Sequence, residues 1–133
     1  MKIEKSEHQS PKNKFKADFK KRLYKFTLEL VKSIDAMKKT TSSLEISKQI
    51  IRSGTSILAN YVEARAASSD KDFVRFFTYS LKSANETIFW LELLRDLKNF
   101  DEKEAQLLID ECQEVANVLG ASIITLKNRI NSK

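Results

Sequence analysis

The sequence predicts an all-α protein, an antiparallel up-down-up-down four-helix bundle. Three observations carry that prediction. Breakers are scarce: two glycines and one proline in 133 residues, and both types disfavour helix interiors. Apolar residues recur at spacings of three and four through four long stretches, the mark of one buried helix face. Only short polar segments separate those stretches, and short connections force successive helices antiparallel. The length suits one domain with a core of its own.

Residues 1–12 (MKIEKSEHQSPK) have no apolar periodicity and read as a disordered basic tail. The only histidine, His8, sits there, where it reads as inert. The bundle is expected over residues 13–131. Its first helix spans about 13–38, with Phe19, Leu23, Phe26, Leu30, Ile34 and Met37 on one face. Lys14, Lys21, Lys25, Lys32 and Lys39 line the opposite face. The second helix spans about 43–67, with Ser42 and Glu45 as a capping box. Ser47, Ile50, Ile51, Gly54, Ile57, Leu58 and Tyr61 form its core face.

The third helix spans about 70–98, with Ser69 and Asp72 as a second capping pair. One stripe holds Phe73, Phe77, Leu81, Ala84, Ile88 and Leu91. A second holds Phe76, Tyr79, Trp90, Leu93 and Leu97. Together they exceed the arc that a helix packed on one side needs, so Phe76, Tyr79, Trp90 and Leu93 are expected in an oligomer interface. The fourth helix spans about 101–130, starting at Asp101 with Glu104. Its rows are heptad-like: Ala105, Cys112, Leu119 and Leu126, then Leu108, Val115 and Ser122, with Ile109, Ala116, Ile123 and Ile130 beside them.

Charge is unevenly placed. Residues 1–39 hold 12 Lys and Arg against 5 Asp and Glu, and residues 40–133 hold 12 against 13. The whole excess of +6 therefore lies in the tail and first helix, which points to an anionic partner such as nucleic acid. A solvated, solubilising face is the plainer reading of the same lysines. Neither an apolar run of signal-peptide length nor a span of about 20 apolar residues occurs, so the expected location is cytoplasmic. Helix 1 could offer its cationic face to a membrane, but its apolar face is spent on the core, so no membrane binding is expected.

Enzymatic chemistry finds little support. With no histidine in the bundle, a Glu-x-x-His di-iron site and a Ser-His or Cys-His dyad are both excluded. A single cysteine allows no intrachain disulfide, and Cys112 reads as a core residue. No glycine-rich phosphate loop is present. A carboxylate-only Mg²⁺ site is open in principle, with Glu63 and Glu86 on facing helices, and Arg52 or Arg75 nearby would neutralise that pair. No metal, no cofactor and no catalytic residue are expected.

The stretch RSGTSILANYVEA (Arg52 to Ala64) is the least ordinary. Gly54 leaves a gap in the apolar face, into which the phenylalanines of helices 1 and 3 are expected to pack. Arg52, Ser56, Asn60 and Glu63 form a polar ladder, read as ties between helices or subunits, for instance Arg52 with Glu63. The run RSGTSILANYVEARAASSDKDFVRFFTYSLKSANETIFWLELL resembles the four-helix-bundle family encoded in intervening sequences of bacterial 23S ribosomal RNA genes. The matching positions are Arg52, Ser53, Gly54, Ser56, Ile57, Asn60, Glu63 and Ala64, then Phe73, Glu86 and the WLELL run. That family is similar to the accessory variability protein of diversity-generating retroelements. A proline that many relatives carry before the second helix is replaced here by TTSS.

The resemblance implies a non-catalytic homo-oligomer, by analogy a homopentamer. It also implies association with ribosomal RNA, or with retroelement RNA or DNA and a reverse transcriptase. The lysines of helix 1 are the expected phosphate contacts. Arg52, Gly54, Ser56, Asn60, Glu63 and Glu86 are read as structural. The alternative is a protein-interaction scaffold with no nucleic-acid role.

Overall fold

The computed structural model describes residues 10–132. Its order is α1 (Pro11–Ala36), α2 (Thr41–Arg65), α3 (Asp70–Asp96) and α4 (Glu102–Asn131). The helices form the expected bundle, each packed on its neighbours in sequence, with α1 also meeting α4. Residues 1–9 of the expected tail, His8 among them, lie outside the described residues.

The helix starts follow local capping chemistry. Ser10 caps α1 by accepting from the Asn13 amide at 3.1 Å, with Pro11 at the first helical position. Proline is favoured there because its missing N–H would have no partner, so α1 begins two residues before the expected Asn13 and takes in Pro11 and Lys12. The box before α2 is not Ser42 with Glu45. Thr40 accepts from the Ser43 amide at 3.3 Å, and the Ser43 hydroxyl accepts from the Thr40 amide at 2.7 Å. Ser69 and Asp101 cap α3 and α4 as expected. α3 ends earlier than expected: Lys98 takes φ 63° and turns the chain out of the helix.

α1 contributes Phe19, Leu23, Phe26, Leu30 and Ile34 to the core. α4 contributes Ala105, Leu108, Ile109, Cys112, Val115, Ala116, Leu119, Ile123 and Leu126. Fully buried Leu23, Leu30, Leu91 and Leu119 each stabilise the fold by roughly 1.5–3 kcal/mol. Cys112 is buried as expected, and burial pushes its thiol up to about 12.

The meridian of α3 lies off the expected stripe. Phe73, Leu81 and Ile88 are half-buried, whereas Phe77, Ser80, Ala84, Thr87, Leu91 and Leu94 face the core. Ser80 and Thr87 are there because α2 comes close. Ser80 donates to Ile57 O at 2.8 Å, and Thr87 Oγ1 lies 2.8 Å from Ser53 Oγ and 2.7 Å from Ser83 O. One hydroxyl proton cannot serve both oxygens. Thr87 therefore donates to the carbonyl and accepts from Ser53.

Gly54 marks the close approach, but the occupant is not a phenylalanine. A Cβ at Gly54 would stand far inside contact distance of Leu30 Cδ2 on α1, with Leu30 Cγ at 3.7 Å and Thr87 Cγ2 at 3.9 Å. Leu30 fills the gap because it is the α1 residue level with Gly54. By contrast α1 and α4 leave an open groove lined by Arg22, Glu29, Leu107 and Glu111. Arg22 and Glu111 bridge it with two bonds of 2.8 Å.

Candidate nucleic-acid interface

Lys14, Lys21, Lys25 and Lys32 lie seven, four and seven residues apart. Those intervals return to nearly the same angle at 100° per residue, so the four form one line along α1. The line faces away from Leu23 and Leu30, and all four lysines are exposed. Lys25 reaches Glu29 at 4.0 Å, and the other three form no ion pair among the described residues. Tyr24 is 62% exposed and Leu28 44% exposed beside the line. Lys39 does not extend it. It lies beyond the end of α1, and its amine donates to Ile34 O at 2.6 Å and Met37 O at 3.1 Å. Among the described residues Ile34 O otherwise accepts only a long bond of 3.4 Å from the Met37 amide, and Met37 lies just past the helix, so Lys39 serves as a cap for this end.

The polar ladder of α2 turns toward α3. Arg52 bonds Glu86 rather than Glu63, and its guanidinium also donates to Gln49 Oε1 at 3.0 and 3.1 Å. Glu86 in turn accepts from Trp90 Nε1 at 2.9 Å. Further along, Ser83 Oγ lies 2.9 Å from Ser56 Oγ, and Asn60 donates to Ser56 O at 3.0 Å. Helical spacing makes this possible: residues 52, 56, 60 and 63 share one side of α2 with residues 83, 86 and 90 opposite. Arg52 neutralises Glu86, as the sequence suggested for that pair. Glu63 is exposed and takes no part. No group of three or more His, Cys, Asp or Glu is arranged to hold a metal among the described residues, and no described helix is long and apolar enough to cross a membrane.

Residues 16–121 match the family described as 23S rRNA-intervening sequence protein. The chain belongs to this family. A solved structure of a protein of unknown function from the S23 ribosomal protein family of Bacteroides thetaiotaomicron is 32% identical, with a TM-score of 0.75. The match covers 81% of this chain and 96% of that one. Among curated proteins no relative matches.

Within this 23S rRNA-intervening sequence protein, the expected interface residues divide. Tyr79 and Leu93 are exposed, while Phe76 and Trp90 are half-buried. Phe89, absent from the expected stripes, is the most exposed aromatic of α3 at 64% and meets Trp90 edge-on at 5.8 Å. A second feature escaped the sequence reading. Lys16 titrates below the ordinary lysine value, first because it is partly desolvated and then because Arg65, Lys12 and Arg129 stand near it. Lys12 and Lys16 stand four residues apart, and Phe19 and Leu23 follow at three and four. They therefore occupy the inner face of α1 just where the core ends. Continuing the apolar row past Phe19 toward the N-terminus would have revealed them.

Proposed function

We propose that this family member is a non-catalytic, oligomeric bundle that associates with nucleic acid through the lysine line of α1. The observation that carries the reading is that line itself: four exposed cations with one carboxylate within pairing distance among the described residues. Backbone phosphates need no more than this, because neutralising them releases condensed counterions whatever the base sequence. RNA is the first polyanion to test, since the family takes its name from a ribosomal RNA gene insertion. An oligomer, a pentamer by family resemblance, repeats the line around one particle and multiplies its phosphate contacts.

Fluorescence anisotropy with labelled RNA tests the reading. Affinity should be nearly independent of sequence, and log affinity should fall with log salt by about 0.7–0.9 per phosphate neutralised. Lys21→Glu/Lys25→Glu/Lys32→Glu should sharply weaken binding, lower its salt slope and leave the fold intact. Unchanged binding by that variant would remove α1's outer face from the account. The scaffold reading is favoured by a different observation, the exposed apolar side chains of α3 and its C-cap: Tyr79, Phe89, Leu93 and Leu97. We assign them to self-association, because aromatics are enriched at interface centres. Light scattering coupled to gel filtration checks it, and a 15.3 kDa particle at micromolar concentration would refute it.

A further inference from the structure

The antiparallel order brings the starts of α1 and α3 and the ends of α2 and α4 to one end of the bundle. Cations from three helices gather at that end: Lys12, Arg65 of α2 and Arg129 of α4 all stand near enough to Lys16 for their charge to act on it. None of the four forms an ion pair among the described residues. Arg65 and Arg129 lie in last turns, where the helix dipole favours cations. Lys12 lies in the first turn of α1, where the dipole disfavours it and no acidic residue offsets it. Lys12 gains nothing from its dipole, and four like charges at one end repel one another, so an anion bound among them would be held favourably.

The same end carries aromatic rings. Phe15, 55% exposed, stacks on buried Phe19 with ring centres 6.2 Å apart and planes 4° from parallel. Phe19 meets Tyr61 edge-on at 5.2 Å, and Tyr61 donates to Lys16 O at 3.4 Å. Arg65 lies over Phe73 at 5.7 Å. The Phe15 ring is thus braced from below, open above, and flanked in sequence by Lys14 and Lys16. Stacking platforms beside cations are how proteins hold single strands without reading their sequence. Lys12, Phe15 and Arg129 fall outside the family match over residues 16–121, so the site would belong to this chain rather than to the family's shared segment.

We propose that this end of the bundle binds single-stranded nucleic acid, with Lys12, Lys16, Arg65 and Arg129 on its phosphates and a base stacked on Phe15. The inference shares its ligand class with the function proposed above but uses a different surface. Anisotropy with labelled oligothymidylate, and competition by inorganic polyphosphate, test it on the full chain. Lys16→Gln/Arg65→Gln/Arg129→Gln should lower the salt slope by about 2, at roughly 0.7 per single-strand phosphate. Lys16→Gln alone should lower it by about 0.7 and melt no lower than wild type at low salt, since it relieves repulsion. Phe15→Ala should weaken oligothymidylate binding at least about fivefold, the lower end of the stacking range, and leave polyphosphate binding unchanged. An unaltered slope in the triple and single variants overturns the phosphate contacts. Equal loss of both ligands in Phe15→Ala, or loss of neither, overturns the stacking. The two surfaces separate cleanly. If the Lys21/Lys25/Lys32 variant loses all binding while the end variants match wild type, the inference fails and the α1 line stands. The reverse pattern retains the end site and removes the line.

Discussion

Replacing Gly54 probes how closely α1 and α2 approach. An alanine there gains about 1 kcal/mol of helix propensity. Its methyl, however, meets Leu30 Cδ2, the end of a fully buried side chain. Turning that side chain off its rotamer costs about 0.5–1.5 kcal/mol, so Gly54→Ala should be close to neutral. Leucine has no such escape. Its further atoms meet Leu30 Cγ and Thr87 Cγ2, which already stand 3.7 and 3.9 Å from the added Cβ. Overpacking of this kind costs about 1–3 kcal/mol net. With an unfolding entropy near 2.1 cal/mol/K per residue, that lowers the melting midpoint by about 4–11 °C.

The mechanism has a sharper signature in combination with Leu30. Leu30→Ala should cost about 2–5 kcal/mol through the cavity it leaves. In that background the clash is gone, so Gly54→Ala should now stabilise by about 1 kcal/mol, the propensity gain alone. Thermal and urea melts of the four-protein cycle read the coupling directly. A Gly54→Leu midpoint equal to or above wild type, or an alanine effect identical in both backgrounds, would show that α1 does not close over this glycine.

Four other measurements bear on the same structure. Lys98 holds φ 63° outside glycine's company, so Lys98→Gly should raise stability by about 0.5–1 kcal/mol, and a lower midpoint would contradict the assigned turn. Thr87→Val keeps the shape but leaves the buried Ser53 hydroxyl without its acceptor, which should cost about 1–2 kcal/mol with the urea slope unchanged. Arg22→Ala removes a half-exposed bridge across the α1–α4 groove and should cost at most about 1 kcal/mol, less in high salt; a larger loss would mean the groove is closed. Cys112 should resist a thiol reagent at pH 8 in the native protein and react once unfolded. Its native thiol keeps its proton to about 12, against 9.0 for a free one. The unfolded chain therefore loses that proton first, and the stability this thiol contributes below pH 9 should fade as pH rises from 9 toward 12.

Legibility in the sequence depended on how local each feature was. The rows of α4 were readable because one helix supplies the whole pattern: Ala105, Cys112, Leu119 and Leu126 are all buried. The cap before α2 was not, because Thr40 to Ser43 are four hydroxyl residues in a row and each is able to cap. The path of the loop decides among them. Ser80 and Thr87 look like surface residues by hydropathy and become core only because small side chains of α2 let the helices close. Lys39 continues the lysine spacing in sequence, but the helix ends before it, so the periodicity no longer sets its direction. The cluster around Lys16 draws on three helices, and no single period could show it.

The division of labour between surfaces follows from where the polar groups are used. Arg52 with Glu86 and Ser56 with Ser83 are engaged across the α2–α3 seam, Asn60 is tied to Ser56 within α2, and Gly54 is closed by Leu30. Hydroxyls buried in that seam are satisfied only in one register: sliding α3 by a turn would move Ser80 from Ile57 O and part Thr87 from Ser53. Buried polar groups left unpaired cost about 1–3 kcal/mol each, so the seam specifies alignment as well as holding it. A bundle whose register is fixed on one side can carry charges elsewhere that do nothing for its stability. α1 does so on its outer line and again at its start, where Lys12 and Lys16 face the other helix ends without a carboxylate in pairing distance among the described residues. If those lysines were only solubilising, the outer face alone would suffice. Their place on the inner face, with the braced and exposed Phe15 next to Lys16 in sequence, is what argues for a ligand at the end of the bundle.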